Sequence, residues 1–361
     1  MEQTAAQATP GSEPNPLEQL RALVGREWHA LRKAAQDART KRTEIWDALS
    51  DQNPLDDDLS LVVFGSLGRD EWTSGSDLDW TLLVDGQADP SHFDVAHDIA
   101  RRLEDAGFKK PGRTGLFGNM AFSHEIIHQI GGPNDTNENT TRRILLLLES
   151  QPIGNDAAYE RVIRGVLDRY LGEDPGNLHP SHQSLKVPRF LLNDVVRFWR
   201  TMAVDFASKQ RERAGEGWGL RNIKLRLSRK IVFAAGMIAC YGLSLEPPHD
   251  AQQAGDIGYL VGRLRHDLRL PPLEVLAAAW LKYDEAQGAA TKMFDAYDRF
   301  LSVLDDPEKR GTLEKLRVGE SRQDQLFQEM RGAGHEFQSA LAALFFDNPK
   351  IKPLTRKYGL F

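Results

Sequence analysis

Cysteine is almost absent from this chain, which has one in 361 residues. A single cysteine excludes any disulfide within the chain. Cys240 ends the apolar run Ile231 to Cys240, so we expect a buried, inert thiol. That run is too short and too closely flanked by charge to span a bilayer, which needs about 20 apolar residues. The N-terminus also lacks a signal-peptide pattern, so we expect a cytoplasmic protein with no membrane partner.

Net positive charge is lacking as well, since the formal charge is −6 at pH 7. The chain is therefore no general polyanion binder, and any affinity for nucleic acid or triphosphate must come from local basic patches or a metal ion. Hydrophobic residues make up 40% of the sequence, enough for a sizeable core. The length suggests two domains.

The order of predicted elements indicates an α+β fold, in which a small mixed sheet packs against a mostly helical C-terminal region. Strands are predicted from Leu59, over Asp77–Val84 and over Met120–Ile130. Apolar spacing predicts long helices over Leu17–Leu49, Ser91–Ala106 and Leu220–Cys240, among others. The expected divisions are a disordered tail (1–15), an N-terminal helix (16–52), an α/β domain (53–150), a helical region (151–347) and a basic tail (348–361).

Two short motifs carry the chemistry. Gly65–Ser66 follows a predicted strand, and after ten residues comes Asp77-Leu78-Asp79-Trp80. Side chains alternate along a strand, so Asp77 and Asp79 point the same way, about 7 Å apart. Such a pair suits Mg²⁺, which takes oxygen ligands and keeps positions for water and phosphate. Gly65 permits a close backbone approach, and Ser66 with the following amides can bind triphosphate oxygens.

This pattern resembles the DNA polymerase β-like nucleotidyltransferase superfamily, in which a hydrophobic residue, Gly-Ser, a similar spacer and Asp-hydrophobic-Asp-hydrophobic form the signature. Gly68-Arg69 and the acidic residues after it look most like the branch of bacterial protein uridylyl- and adenylyltransferases. The resemblance covers about residues 55 to 150. It implies a nucleotidyltransferase (EC 2.7.7) that uses Mg²⁺ or Mn²⁺, held by Asp77 and Asp79, to move a nucleotide from a triphosphate to a hydroxyl with release of pyrophosphate.

The resemblance also implies a third carboxylate from a later strand. Glu125 is the expected third metal ligand, and Asp135 is the alternative. Ser66 and Arg69 are expected to contact the β- and γ-phosphates, although Arg69 could instead form a salt bridge to a nearby carboxylate, Asp70, Glu71 or Asp77.

Further cations in the helical region could face the same cleft. Arg221 and Lys224 fall at helical spacing with Ser228, and Arg197 lies near Arg200 in a second stretch. We expect Arg197, Arg221 and Lys224 to help bind the nucleotides, although a solvated charged face is the default for either segment.

A competing motif is His124-Glu125-Ile126-Ile127-His128, which matches the His-Glu-X-X-His pattern of zinc proteases. Its neighbours disfavour that alternative, because Gly131-Gly132-Pro133 stops the element early and Asn134 is a poor zinc ligand. In the nucleotidyltransferase interpretation, His124 and His128 lie on the strand face opposite Glu125.

The acceptor is the open question, because the metal chemistry needs only a positioned hydroxyl. The chain lacks an HD-type hydrolase motif and a regulatory domain, which lowers the case for a nitrogen regulator. We expect a nucleotide or oligonucleotide acceptor, as for a signal or oligonucleotide synthase in bacterial defence. Modification of a protein or an RNA is the first alternative, and a degenerate, non-catalytic nucleotide-binding protein is another.

Overall fold

The computed structural model describes residues 15–50, 55–112, 115–172, 187–212, 215–247, 256–284 and 287–359. The tail predicted for residues 1–15 lies outside these ranges except for Asn15. The predicted α+β class is confirmed, because the strands lie in the N-terminal part and the C-terminal part is helical.

The sheet has four strands in the order β3-β2-β1-β4. Their bounds are β1 (Leu59–Val63), β2 (Trp80–Val84), β3 (Asn119–Phe122) and β4 (Gln151–Ile153). β1 pairs antiparallel with both β2 and β4, whereas β2 and β3 are parallel. Every residue of β1 and β2 is buried. These two strands therefore form a rigid centre covered on both faces.

Helices cover the sheet and form the rest of the described chain. In order they are α1 (Pro16–Val24), α2 (His29–Leu49), α3 (Gly65–Gly68), α4 (Ser91–Asp105), α5 (Ser123–Ile127), α6 (Asn137–Leu148), α7 (Ala157–Gly172), α8 (Arg189–Glu212), α9 (Trp218–Arg226), α10 (Ser228–Leu245), α11 (Ile257–Arg269), α12 (Pro272–Tyr283), α13 (Gly288–Asp305), α14 (Pro307–Lys315), α15 (Gln325–Ala342) and α16 (Lys352–Leu354). Short helical turns occupy Val318–Glu320, Ala343–Asp347 and Thr355–Gly359.

Three predicted elements differ from the structure. The helix predicted over Leu17–Leu49 is divided into α1 and α2, because Gly25 adopts the left-handed conformation that caps α1. The helix predicted over Leu220–Cys240 is divided at Leu227, whose φ of −118° and ψ of −81° are not helical. The strand predicted over Met120–Ile130 ends at Phe122, and α5 follows at once.

Cys240 is buried within α10, as expected, and burial raises the pKa of its thiol. None of the helices in the described ranges combines the length and apolar character needed to cross a bilayer.

Candidate active site

The Gly-Ser turn and the two aspartates meet at one end of the central strands. Asp77 and Asp79 come directly before β2, which runs antiparallel to β1, so they lie beside the turn that follows β1. Side chains alternate here as predicted: Leu78 and Trp80 are buried, Asp77 is exposed and Asp79 is half-buried. The extended segment thus directs both carboxylates away from the apolar core.

Gly65 allows the turn to approach Asp79 closely. The Phe64 N–H donates to the Asp79 carbonyl at 2.9 Å, which extends the pairing of the two strands. Gly65 has a φ of +65°, and a Cβ on it would lie 3.0 Å from Asp79 Oδ2. A side chain at position 65 would therefore be strained and would crowd the carboxylate. Ser66 lies in the first turn of α3 and is partly exposed.

Helices from the C-terminal region hold the loop between the two motifs. Asp305, at the end of α13, accepts from the Ser74 N–H at 3.0 Å, and the Asp305 carbonyl accepts from Ser74 Oγ at 2.9 Å. Arg310 of α14 packs on the same loop, since a Cβ on Gly75 would lie 2.5 Å from Arg310 Nε. The helical region therefore helps to position the aspartates.

Cations face the carboxylate pair from two helices. Burial raises the pKa of Asp79 to about 6, although Arg229 of α10 and Lys224 of α9 oppose the increase. Burial also lowers the pKa of Lys224 to about 8, with a further decrease from Arg310 and Arg229, whereas Asp77 raises it. Lys224 thus lies within electrostatic range of both aspartates, and its nucleotide-binding role stays a prediction.

Glu149 is a third carboxylate near the pair, and the sequence analysis missed it. It caps the C-terminal end of α6 just before β4, next to the Gly-Ser turn: a Cβ on Gly68 would lie 2.1 Å from the Glu149 carbonyl oxygen. Its side chain is buried and accepts from Arg69 and, at 3.3 Å, from Arg229. Glu149 contributes to the raised pKa of Asp79 through charge repulsion.

Arg69 does not face solvent or a phosphate position. It is 5% exposed, and its guanidinium donates to Glu71 at 3.0 Å and to Glu149. The two carboxylates raise its pKa despite burial, which alone would lower it. In this structure Arg69 forms the salt bridge to Glu71, which is the alternative given for it, and the expected phosphate contact stays a prediction.

Neither expected third metal ligand lies near the aspartates. Because β2 and β3 are parallel, Glu125 in α5 lies beyond the opposite end of the sheet, past Phe122, which pairs with Val84. Five residues of strand separate that end from Asp79, or about 17 Å. Asp135 is buried in an ion pair with Arg143 at 2.9 Å, before the N-terminus of α6. Glu125 is corrected because it belongs to a helix rather than a strand, and Asp135 because its carboxylate pairs with Arg143.

Most of the other expected cations also lie elsewhere. Arg221 donates to two backbone carbonyls, those of Lys209 and Glu216, at 3.3 and 2.7 Å. Arg197 donates to the Asp135 carbonyl and to Asn137 Oδ1, at the end of α6 that is distant from Glu149. Arg200 is exposed on α8. Of the expected cations, the structure therefore brings Lys224 to the carboxylates. Arg229 and Arg310 lie near Lys224, and neither of them was predicted.

The His-Glu-X-X-His motif spans α5 and its C-cap residue His128; His124, Glu125 and His128 are exposed, whereas Ile126 is buried. The rings of His124 and His128 lie 5.1 Å apart between centroids. Within the described residues, no group of three or more His, Cys, Asp or Glu side chains has an arrangement that could hold a metal ion. The neighbouring Asp135 is held by Arg143, so it is not directed toward the two histidines.

A comparison with protein families agrees with the site. Residues 21–125 match the family model "Putative nucleotidyltransferase DUF294". The match contains the Gly-Ser turn and both aspartates, so this part of the chain is similar to the nucleotidyltransferase-type domain that the family model describes. It ends before Glu149 and before the helices that supply Lys224 and Arg229. Searches of curated proteins and of solved structures gave no match.

Proposed function

We propose that the protein is a metal-dependent nucleotidyltransferase in which Asp77 and Asp79 hold Mg²⁺ or Mn²⁺. One observation carries the proposal: two carboxylates that alternate with buried residues lie against a glycine turn, inside a domain matched to nucleotidyltransferases. The donor set fits such an ion, since Mg²⁺ is bound by one or two carboxylates together with substrate phosphates. When bound, the metal would neutralise charge on the transferring phosphoryl group.

The surrounding cations support binding of a triphosphate. Lys224 and Arg229 act on the carboxylates from two helices, and Arg310 of a third helix lies near Lys224 and packs on the loop before Asp77. Phosphate oxygens would find complementary charge here, and Ser66 follows Gly65, the residue that approaches Asp79 closely. Burial disfavours the charged form of Lys224, so a phosphate partner would restore a favourable environment for its ammonium.

Glu149 and Arg69 have a positioning role in this proposal. Their buried ion pair ties the end of α3 to the end of α6, and Arg229 extends the network toward solvent. Arg229 is shared between Glu149 and the carboxylate cleft, so it can orient toward phosphate while it stays anchored. The acceptor hydroxyl would belong to a nucleotide or oligonucleotide, with signal or oligonucleotide synthesis in bacterial defence as the proposed biological role.

The test is nucleotide consumption by the purified chain. We expect pyrophosphate release from labelled NTPs or dNTPs that requires Mg²⁺ or Mn²⁺, with label in a nucleotide product. Asp77→Asn combined with Asp79→Asn should lower the rate about a thousandfold or more, because the amides keep the shape but remove the charge that holds the metal. Asp94→Asn, on the exposed face of α4, is the matched control. Full activity in the double variant would contradict the proposal.

A further inference from the structure

We propose that a groove between α15 and the α9–α10 pair binds a single-stranded oligonucleotide, the acceptor of the transfer. The inference rests on the proposed function, because it assigns a surface to that reaction's acceptor. The groove has a basic half and an aromatic half. The cations of the groove are different residues from the cations that face Asp77 and Asp79.

The basic half is formed by Arg226, Lys230 and Arg331. Arg226 packs on α15 at Gly334, where a Cβ would lie 3.3 Å from Arg226 Cβ. One turn further along each wall, Lys230 donates to Gln338 Oε1 across the groove. Arg331 is exposed one turn before Gly334, and its charge acts on Arg226.

These cations are not neutralised by the partners that the structure gives them. Arg226 donates to Asn222 Oδ1 at 2.8 Å and Lys230 to Gln338, and both acceptors are neutral amides. Burial and then the neighbouring Arg226 lower the pKa of Lys230 to about 8. Like charges held together beside a groove favour an anionic occupant.

The aromatic half continues from Lys230 between α10 and the end of α15, where α8 adds Trp199 and the turn after α15 adds Phe346. The rings of Trp199 and Phe233 stack with centroids 5.4 Å apart, and Phe346 is 45% exposed. The pocket here is lined by these residues together with Met237, Leu341 and Phe345, and Lys230 and Gln338 stand at its polar side. Aromatic rings next to backbone-binding cations are the combination by which proteins bind single strands, since bases stack on the rings while cations contact the phosphates.

The position of the groove favours a strand over a single nucleotide. Cations alternate across the junction of α9 and α10: Lys224 and Arg229 face the carboxylates, whereas Arg226 and Lys230 line the groove. The two sets lie on different sides of helices that are about 10–12 Å thick. A chain of several phosphates can contact both sets at once, with its end at the aspartates.

The experiment measures binding of a fluorescein-labelled ten-residue single-stranded RNA by anisotropy, without NTP, across a salt series. We expect the combined variant Arg226→Gln, Lys230→Gln and Arg331→Gln to weaken binding at least tenfold. The slope of log K against log salt should fall by about 2, since each lost contact to a single strand contributes about 0.7. Phe346→Ala should weaken binding several-fold with the slope unchanged.

The control variant removes three exposed cations outside the groove, Lys292, Lys315 and Arg322, each replaced by Gln. It has the same net charge as the groove variant and should bind like the wild type. Arg331→Glu alone alters an exposed side chain, so its loss of affinity would support the groove even if the triple variant unfolds. Equal weakening by groove and control variants would overturn the proposal. Binding of anionic lipid vesicles in place of RNA, lost in the groove variant, would also overturn it.

Binding and catalysis are separable in this test. Asp77→Asn with Asp79→Asn should bind the RNA at least as tightly as the wild type, because it keeps every groove cation and removes two negative charges from the place that the strand end reaches. If the RNA binds at the groove and no NTP is consumed, the proposed function fails while the groove assignment stands. If every groove variant keeps wild-type affinity for RNA and still transfers label to an acceptor, the groove assignment fails. The proposed transferase function would then stand.

Discussion

The two sides of the candidate site are built in different ways. The acidic side comes from one short segment, residues 65–79, and its geometry is fixed by strand pairing and by a glycine turn. The basic side comes from α9, α10 and α14, which are joined to the sheet by side-chain packing and ion pairs. The helical region is therefore part of the candidate site, because it supplies the positive charge opposite the carboxylates.

The largest effect should come from breaking the buried connection between the two sides. We expect Arg69→Met to lower the free energy of unfolding by about 3–5 kcal/mol, because the buried Glu71 would lose its ion-pair partner and the buried Glu149 would keep only Arg229. Urea denaturation at pH 7 measures it. The control is Arg101→Met on α4, whose ion pairs with Asp98 and Asp105 lie at the surface, and it should leave the free energy of unfolding almost unchanged. A stable Arg69 variant with weakened NTP binding would instead return Arg69 to a phosphate contact.

The acidic side could be predicted because its information is local. A hydrophobic run, Gly65, and the alternation of Asp77 and Asp79 with Leu78 determine strand, turn and side-chain direction within a few residues. Glu149 could not be predicted in this way. Its proximity depends on β4 pairing with β1 across 88 residues or more, as in the pair Val63 and Gln151, and β4 is too short to give a period-two signal.

A smaller effect should distinguish the cations at the site from those beside it. We expect Lys224→Met to raise the apparent KM for NTP about tenfold or more, because the ammonium lies within range of Asp77 and the proposed phosphates. Arg221→Met, three residues earlier, should leave KM unchanged, since its guanidinium binds backbone carbonyls between α8 and α9. Steady-state pyrophosphate release measures both. An equal change in KM would show that the whole face acts as one cationic surface.

Arg221 and Lys224 also show why the positions of the helical cations were only partly predictable from the sequence. Helical spacing placed Arg221, Lys224 and Ser228 on one face of a continuous helix. The chain instead breaks at Leu227, so residues after the break point in new directions. Arg229 therefore reaches Glu149, although the spacing gave it no special place. A break without proline or glycine has no strong local signal, because tertiary packing determines it.

The smallest effect concerns Glu274, where the helical region meets the back of the Gly-Ser turn. Burial raises the pKa of Glu274 to about 7, and the nearby Asp70 adds to the increase while Arg39 opposes it. The folded protein thus holds this proton more tightly than the unfolded chain, in which the pKa of a glutamate is about 4.3. The stability from this group is full below about pH 4 and is lost as the pH rises to about 7.

Glu274→Gln should remove this pH-dependent loss of stability. It should keep an acceptor for Asn15 Nδ2, which donates to Glu274 Oε1 at 2.9 Å. Because the site is partly open to solvent, we expect a gain of about 1 kcal/mol in unfolding free energy at pH 8 and almost none at pH 4.5. Urea denaturation at a series of pH values measures it, with the exposed Glu329→Gln as control. Parallel pH profiles for Glu274→Gln and the wild type would show that the pKa of Glu274 is not raised in the folded protein. A gain that grows between pH 5 and 7 would show that burial, together with Asp70, raises the pKa of Glu274 where the helical region meets the segment after the Gly-Ser turn.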